Sequence, residues 1–411
     1  MNSITPLSPS ATEARNAVPR VASIDIFRGL TMAVMIFVNQ LSSVPGLPWW
    51  TYHAHADEDV MTYVDMVFPF FLFIVGMSLP ISIAQRLKRD PSVPRLWLHV
   101  LHRVAGLVVL GLILANAEKA DASRMPIEGN LWALLGLLSA ALYLNAYPAS
   151  KRFPAYAVLL RGIGVAGVAL LFAIFRRSTH GGQVAWIDPS YPEILGLIGF
   201  SYLAVAVLYI PTRRWRWAPL LWFAALLALC ILSTAKVIPI PDGMPIYLWP
   251  FDNGAMSSII MAGVITSGIF LGTDRRPKPK TAIFQATGLA VLMLIGGWIS
   301  ISLGISKIRA TPTWSMWCIG AAMLLFTVLY WICDLKGHTK WALLVKAAGS
   351  NTLLTYLLPD LWYFLFAAAG ITYLDTHLGV GWPAVIKTAL FTLFMLSLAT
   401  LFTKARLRLQ L

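Results

Sequence analysis

Apolar residues in this chain run together in long blocks instead of alternating, and short polar links separate the blocks from residue 25 to residue 403. The blocks predict helices over 25–43, 62–84, 97–116, 130–147, 154–175, 191–211, 215–236, 253–273, 281–304, 313–333, 351–371 and 383–403. Most approach the ~20 residues that a helix needs to cross a hydrocarbon layer about 30 Å thick. A membrane β-barrel would instead show weak alternation over ten-residue segments. The pattern therefore predicts an all-α polytopic integral membrane protein, a bundle of about 12 (10–12) transmembrane helices. Residues 1–20, rich in Ser, Pro and Ala and without an apolar stretch, read as a disordered cytoplasmic tail. Residues 21–411 read as a single transmembrane domain, since no link is long enough to fold separately.

Composition agrees, with 58% hydrophobic and only 12% charged residues. A net charge of +14 would suggest nucleic acid in a soluble protein, but here the cations sit in the links and orient the chain. Links on the N-terminal side carry Arg86, Lys88, Arg89 and Arg95, then Lys151 and Arg152, then Arg213, Arg214 and Arg216. The same side continues with Arg275, Arg276, Lys278 and Lys280, with Lys336 and Lys340, and with the tail cations from Lys404. The opposite side has only Lys119, Arg124, Arg176, Arg177, Lys236, Lys307 and Arg309. This asymmetry puts both termini in the cytoplasm and the Asn39–Thr62 link, which has no Lys or Arg, outside. Cys230, Cys318 and Cys333 all fall in apolar blocks and outline no disulfide framework. No phosphate-binding glycine loop, dinucleotide motif, nucleophile elbow or HExxH occurs.

Candidate chemistry concentrates between Val38 and Ser82, where Asn39, His53, His55, Asp57, Glu58 and Asp59 abut the apolar block that begins near Thr62 and contains Pro69 and Gly76. Ionisable groups at a membrane are costly and read by default as functional. His53, His55, Asp57 and Asp59 alternate, so an extended segment would aim them one way, a weak metal-ligand pattern, and no metal is expected. The acidic run 57–59 equally suits the N-terminus of the following helix. Asp65, Glu193 and Asp252 join the outer polar set and would suit a cationic acceptor, or simply pair helices. On the inner side His99, His102 and Arg103 share a helical face beside the basic link, fit to hold a phosphorylated ligand or to anchor the helix at the headgroups. Asp25 and Arg28 form an i, i+3 pair, and Asn351 and Tyr356 line a cleft or bridge helices.

SIDIFRGLTMAVMIFVNQ resembles the S-L-D-x-F-R-G-L…V-N stretch of the transmembrane acyltransferases related to heparan-α-glucosaminide N-acetyltransferase. HADEDVMTYVDMVFPFFLFIVGMS is similar to the same family's H-A-x-W-N-G…D-L-V-F-P segment, with Asp57, Glu58 and Asp59 standing where the family has Trp-Asn-Gly. RMPIEGNLWALLG around Arg124, FDNGAMSSI around Asp252 and GSNTLLTYL around Asn351 are weaker landmarks. Matching the histidine-to-aspartate spacing assigns the family's histidine to His55, its aspartate to Asp65 and its asparagine to Asn39.

The resemblance implies transfer of an acetyl group from cytosolic acetyl-CoA to an amino sugar of glucosamine type outside the membrane, in a multi-pass protein of the bacterial cytoplasmic (inner) membrane. His55 would act as general base, or would itself carry the acetyl group, with Asn39 at the oxyanion and Asp65 as partner. Arg28, Arg86, Arg89, His102, Arg103 and Asn351 would hold CoA, while Asp57, Glu193, Asp252 and Arg124 would meet the acceptor. The expected partners are acetyl-CoA, an amino sugar or glycan and the lipid bilayer, not nucleic acid, with room left for a homo-oligomer. O-acetylation of an exported glycan, a secondary transporter of sugars and a non-catalytic export scaffold stay open as alternatives.

Overall fold

The computed structural model describes residues 21–147, 154–179, 181–240, 252–272, 277–371 and 373–411. The predicted tail 1–20 and the link cations Lys151, Arg152, Arg275 and Arg276 lie outside the described residues. Helices follow one another as α1 (Ala22–Leu41), α2 (Val67–Arg89), α3 (Val93–Ala117), α4 (Gly129–Leu144), α5 (Pro154–Ile174), α6 (Glu193–Thr212) and α7 (Ala218–Thr234). The second half comprises α8 (Ala255–Leu271), α9 (Pro279–Ile299), α10 (Pro312–Leu329), α11 (Leu343–Gly349), α12 (Thr352–Ala368), α13 (Tyr373–His377) and α14 (Gly381–Lys404). A two-stranded hairpin, β1 (Arg177–Ser178) with β2 (Val184–Ala185), stands between α5 and α6.

Each of the twelve apolar blocks holds one long helix, and the short α11 and α13 fall in links. Among the described residues eight helices are long and apolar enough to cross a membrane, which makes this an all-α polytopic membrane protein. The four shorter apolar helices, α4, α7, α8 and α12, have 16 or 17 residues. At 1.5 Å per residue these reach about 25 Å.

The helix expected over 62–84 begins later, at Val67, after a 3₁₀ turn over Val64–Met66, and runs on to Arg89. Pro69 thus sits in its first turn, where a missing N–H leaves no intrahelical bond unmade, instead of in the interior. Farther along, α2 crosses α8 with backbones touching. A Cβ on Gly76 would lie 1.8 Å from the Ile260 carbonyl oxygen, and one on Gly263 would lie 2.1 Å from that of Phe73. Small residues at such crossings let two helices pack without lipid between them.

Distant segments finish the ends. The Asp334 carboxylate, in the wide turn after α10, accepts the Ala22 and Ser23 N–H groups at 2.8 and 3.1 Å and caps α1. Asn351 performs a similar service for the last residues. Its amide donates to Thr403 Oγ1 (3.0 Å) and the Leu407 carbonyl (2.8 Å) and accepts the Leu409 N–H (3.2 Å). Leu409 in turn bridges to Asn145.

Candidate active site

The link between α1 and α2 is polar, yet its own side chains give it a definite shape. Tyr52 Oη donates to the Val44 carbonyl (2.5 Å) and accepts the Leu47 N–H (2.9 Å), while Thr62 Oγ1 donates to the Tyr52 carbonyl (2.8 Å). These contacts fold the link back over the start of α2 and bring His53 to Asp65. His53 Nδ1 lies 2.7 Å from Asp65 Oδ1. The other oxygen, Oδ2, accepts the Ala54 and Thr62 backbone N–H groups at 3.2 and 3.1 Å. The Trp314 indole donates to the Asp65 carbonyl (3.2 Å) and fixes the same turn from α10.

This geometry dictates the tautomer. A buried carboxylate stabilised by two N–H donors is an acceptor, so the hydrogen in the His53–Asp65 contact belongs to Nδ1. In the neutral ring Nε2 then keeps its lone pair. The Asp65 side chain is 2% exposed and that of His53 is 43% exposed, so the pair has one anchored and one accessible member.

His53 lines a cavity of about 530 Å³ together with Asn39 from the end of α1, Glu118 after α3, Tyr191 and Glu193 at the start of α6, and Lys307 from the α9–α10 link. Tyr356 and Asp360 of α12 close another wall. Glu193 has a left-handed backbone, φ 56°, uncommon for a side chain of its size. Its carboxylate accepts the Ile194 N–H by a short bond and the Tyr356 hydroxyl at 3.3 Å. Among the described residues nothing donates to Asp360. Lys307 Nζ stands 3.3 Å from His53 Nδ1. Burial lowers the Lys307 pKa, and the charges of Asp65 and Glu193 partly oppose that shift. Burial and the neighbouring Glu193 push the Tyr191 phenol up to about 12, which keeps it a neutral donor.

A family profile described as a domain of unknown function, DUF5009, matches residues 20–236, over half of the chain. The chain belongs to the DUF5009 family. It is also related over about a quarter of its length to two curated proteins named heparan-α-glucosaminide N-acetyltransferase. That of Homo sapiens is 38% identical over 98 residues, covering 24% of this chain and 14% of the relative. That of Mus musculus is 34% identical over 102 residues, covering 25% and 15%. The matched stretches thus span about a seventh of those relatives. The DUF5009 stretch contributes Asn39, His53 and Glu193 to the cavity, and Asp65 behind His53, while Lys307, Tyr356 and Asp360 come from the part beyond it.

Several expectations change. The residue brought to Asp65 is His53, not His55, because the link turns between them. His55 is exposed, its N–H donates to Glu58 (3.1 Å), and it does not line the cavity. The alternating quartet does not converge either: His53 turns inward, His55 and Asp57 face outward, and Asp59 forms a short ion pair with Arg309. Asp59 also accepts the Ile305 N–H (3.1 Å), so it latches the Lys307 link onto the His53 link. The Arg309 contact is the main reason the Asp59 pKa is lowered. Asp252 is buried between helices, bonded to Ser257 Oγ (2.6 Å) and Ser201 Oγ (3.3 Å), away from the cavity. Arg124 braces the links after α3 and α5 through Asp121 (3.2 Å) and the Gly182 carbonyl (3.2 Å).

The expected CoA residues also divide. Arg86 and His102 line a second cavity of about 510 Å³ at the opposite helix ends, with His99, Tyr143 and Arg161. Arg28 is engaged inside the bundle with Ser78 Oγ (2.7 Å), the Gly349 carbonyl (3.3 Å) and Asp25 (3.5 Å). Arg103 lies over the Tyr202 ring at 4.8 Å, Arg89 is exposed outside the cavity, and Asn351 spends its amide on the C-terminal segment. Glu118, Tyr191, Lys307 and Asp360 are cavity residues to which sequence reading gave no role in the site. A carboxylate inside an apolar block was the available signal for Asp360.

Proposed function

We propose that this protein transfers the acetyl group of acetyl-CoA to the amine of an amino sugar of glucosamine type, with His53 as the general base. The observation that carries the reading is the His53–Asp65 pair facing a cavity walled by carboxylates, in a chain related to N-acetyltransferases. Glu193 and Asp360 attract the acceptor as its ammonium, which releases one proton to solvent before reaction. The free amine attacks the thioester carbonyl carbon. A C–N bond forms as His53 Nε2 takes the second amine proton and Asp65 steadies the imidazolium. Asn39 and Lys307 hold the oxyanion. When the C–S bond breaks, the imidazolium returns its proton to the CoA sulfur, and the products are the N-acetyl sugar and CoA. The acidic wall favours an amine over a hydroxyl acceptor, because a carboxylate gains more from an ammonium than from a neutral alcohol.

The second cavity suits the CoA phosphates, with Arg86 and His102 joined by His99 and Arg161. This arrangement belongs to a single domain over 21–411 with twelve spans in a bacterial inner membrane. Both termini and the Arg86 end are cytosolic, and the His53 end is outside. Impermeant thiol reagents tested on single cysteines should label position 46 in intact cells and position 90 only after permeabilisation; the reverse would contradict this orientation. The reaction itself is tested by incubating purified protein with radiolabelled acetyl-CoA and a panel of amino sugars and glycans. Label should enter the amino sugars. Label in hydroxylated glycans alone would favour O-acetylation, and uptake of sugar without acetylation would favour a transporter.

A further inference from the structure

Beside the large cavity lies a slot of about 20 Å³, room for one group the size of a methyl or a water. Its walls are Val38 of α1, Val64, and Val67, Phe68 and Phe71 at the start of α2, all buried. Its mouth is polar. Asn39, His53 and Lys307 line both the slot and the large cavity, so the two spaces meet at the groups assigned to the reaction.

We propose that this slot is the acyl subsite, that it receives the methyl of the transferred acetyl group, and that its depth restricts the donor to short acyl-CoA thioesters. The inference rests on the acetyltransferase reading and adds donor selectivity to it. Three arguments support the methyl as occupant. A water there would find polar partners only at the mouth, in Asn39, His53 and Lys307, and apolar side chains everywhere else. A sugar hydroxyl or a pantetheine amide placed against the apolar walls gains no hydrogen bond from them, at a cost of a few kcal/mol. The acetyl methyl carries no polar atom, and with it in the slot the thioester carbonyl falls at the mouth between Asn39, Lys307 and the His53 ring. A propionyl group would press its extra methylene against Val67 and Phe71, where close-packed walls yield at a price in strain.

The test compares acetyl-, propionyl- and butyryl-CoA as donors to glucosamine, using the full chain in lipid nanodiscs. The wild type should prefer acetyl over propionyl by roughly 10–200-fold in kcat/KM, the usual discrimination for one methylene. Val67→Ala should narrow that ratio by about tenfold, and Phe71→Leu should narrow it less. The ratio is taken within one preparation, so a partly unfolded variant does not distort it. Equal use of the three donors by the wild type, or an unchanged ratio in both variants, overturns the acyl subsite while leaving the acetyltransferase reading intact. Absence of transfer from every donor overturns that reading and the subsite with it.

Discussion

The two ends of the helix bundle hold polar groups of opposite character. At the His53 end carboxylates predominate, and most are engaged: Asp65 with His53, Glu193 with Tyr356, Asp59 with Arg309. At the Arg86 end the cavity is lined by two arginines and two histidines, and by no Asp or Glu among the described residues. The first arrangement is suited to moving protons, because the His53–Asp65 and Glu193–Tyr356 pairs join titratable groups through hydrogen bonds. The second is suited to holding an anion, because Arg86 and Arg161 line it with no Asp or Glu among the described residues beside them. A reaction that joins a polyanionic donor to a cationic acceptor needs both kinds of site, kept apart.

The largest effect that would break this contrast is expected from Asp65→Asn. Two backbone N–H groups point at the Oδ2 position, so the new amide must keep its oxygen there and turn its NH₂ toward His53. The imidazole then accepts at Nδ1 and carries its hydrogen on Nε2, the wrong tautomer for a base. Transfer should fall on the order of 10⁴-fold, as when the aspartate of a serine-protease triad becomes asparagine, with acetyl-CoA binding retained. Near-normal turnover would show that the pair does not set the tautomer.

At the other end Arg86→Ala should act on binding. Loss of one charge-assisted phosphate contact is worth about 1.5–3 kcal/mol, so KM for acetyl-CoA should rise by at least about tenfold while kcat changes little. A fall in kcat with unchanged KM would place the donor elsewhere. The smallest effect concerns the Asp59–Arg309 latch, which is exposed and weak. Its carboxyl pKa is lowered in the folded chain, so its stabilisation is present above the unfolded value near 3.8 and is lost as pH falls through the folded one. The melting temperature of Asp59→Asn should lie a degree or so below wild type near pH 7, and the gap should close in strong acid. A gap that widens in acid would mean the latch does not work through charge.

How much of this was legible in the sequence follows from what each feature depends on. The long helices were readable because crossing a bilayer demands some twenty apolar residues whatever the neighbours do. The start of α2 was not, because the 3₁₀ turn over Val64–Met66 is set by Thr62 and Asp65 acting on a link whose shape no periodicity encodes. The same gap explains the two histidines. His53 and His55 are two residues apart in identical chemical company, and motif spacing selected His55. Only the Tyr52 and Thr62 contacts decide which ring turns toward Asp65. Lys307 looked like one more link cation, since its neighbour in space, His53, is 254 residues away. Asp360 was visible in principle as the lone acid in TLLTYLLPDLWYFLFAA.

The account stands on the choice of His53, and a paired assay of His53→Ala and His55→Ala tests it directly. Acetyl transfer to glucosamine and acetyl-CoA binding would be measured on both variants from the same preparation of membranes. His53→Ala should lose at least about 10²–10⁴ in rate with binding kept, and His55→Ala should stay within a few-fold of wild type. Loss of transfer in His55→Ala with near-normal turnover in His53→Ala would contradict it.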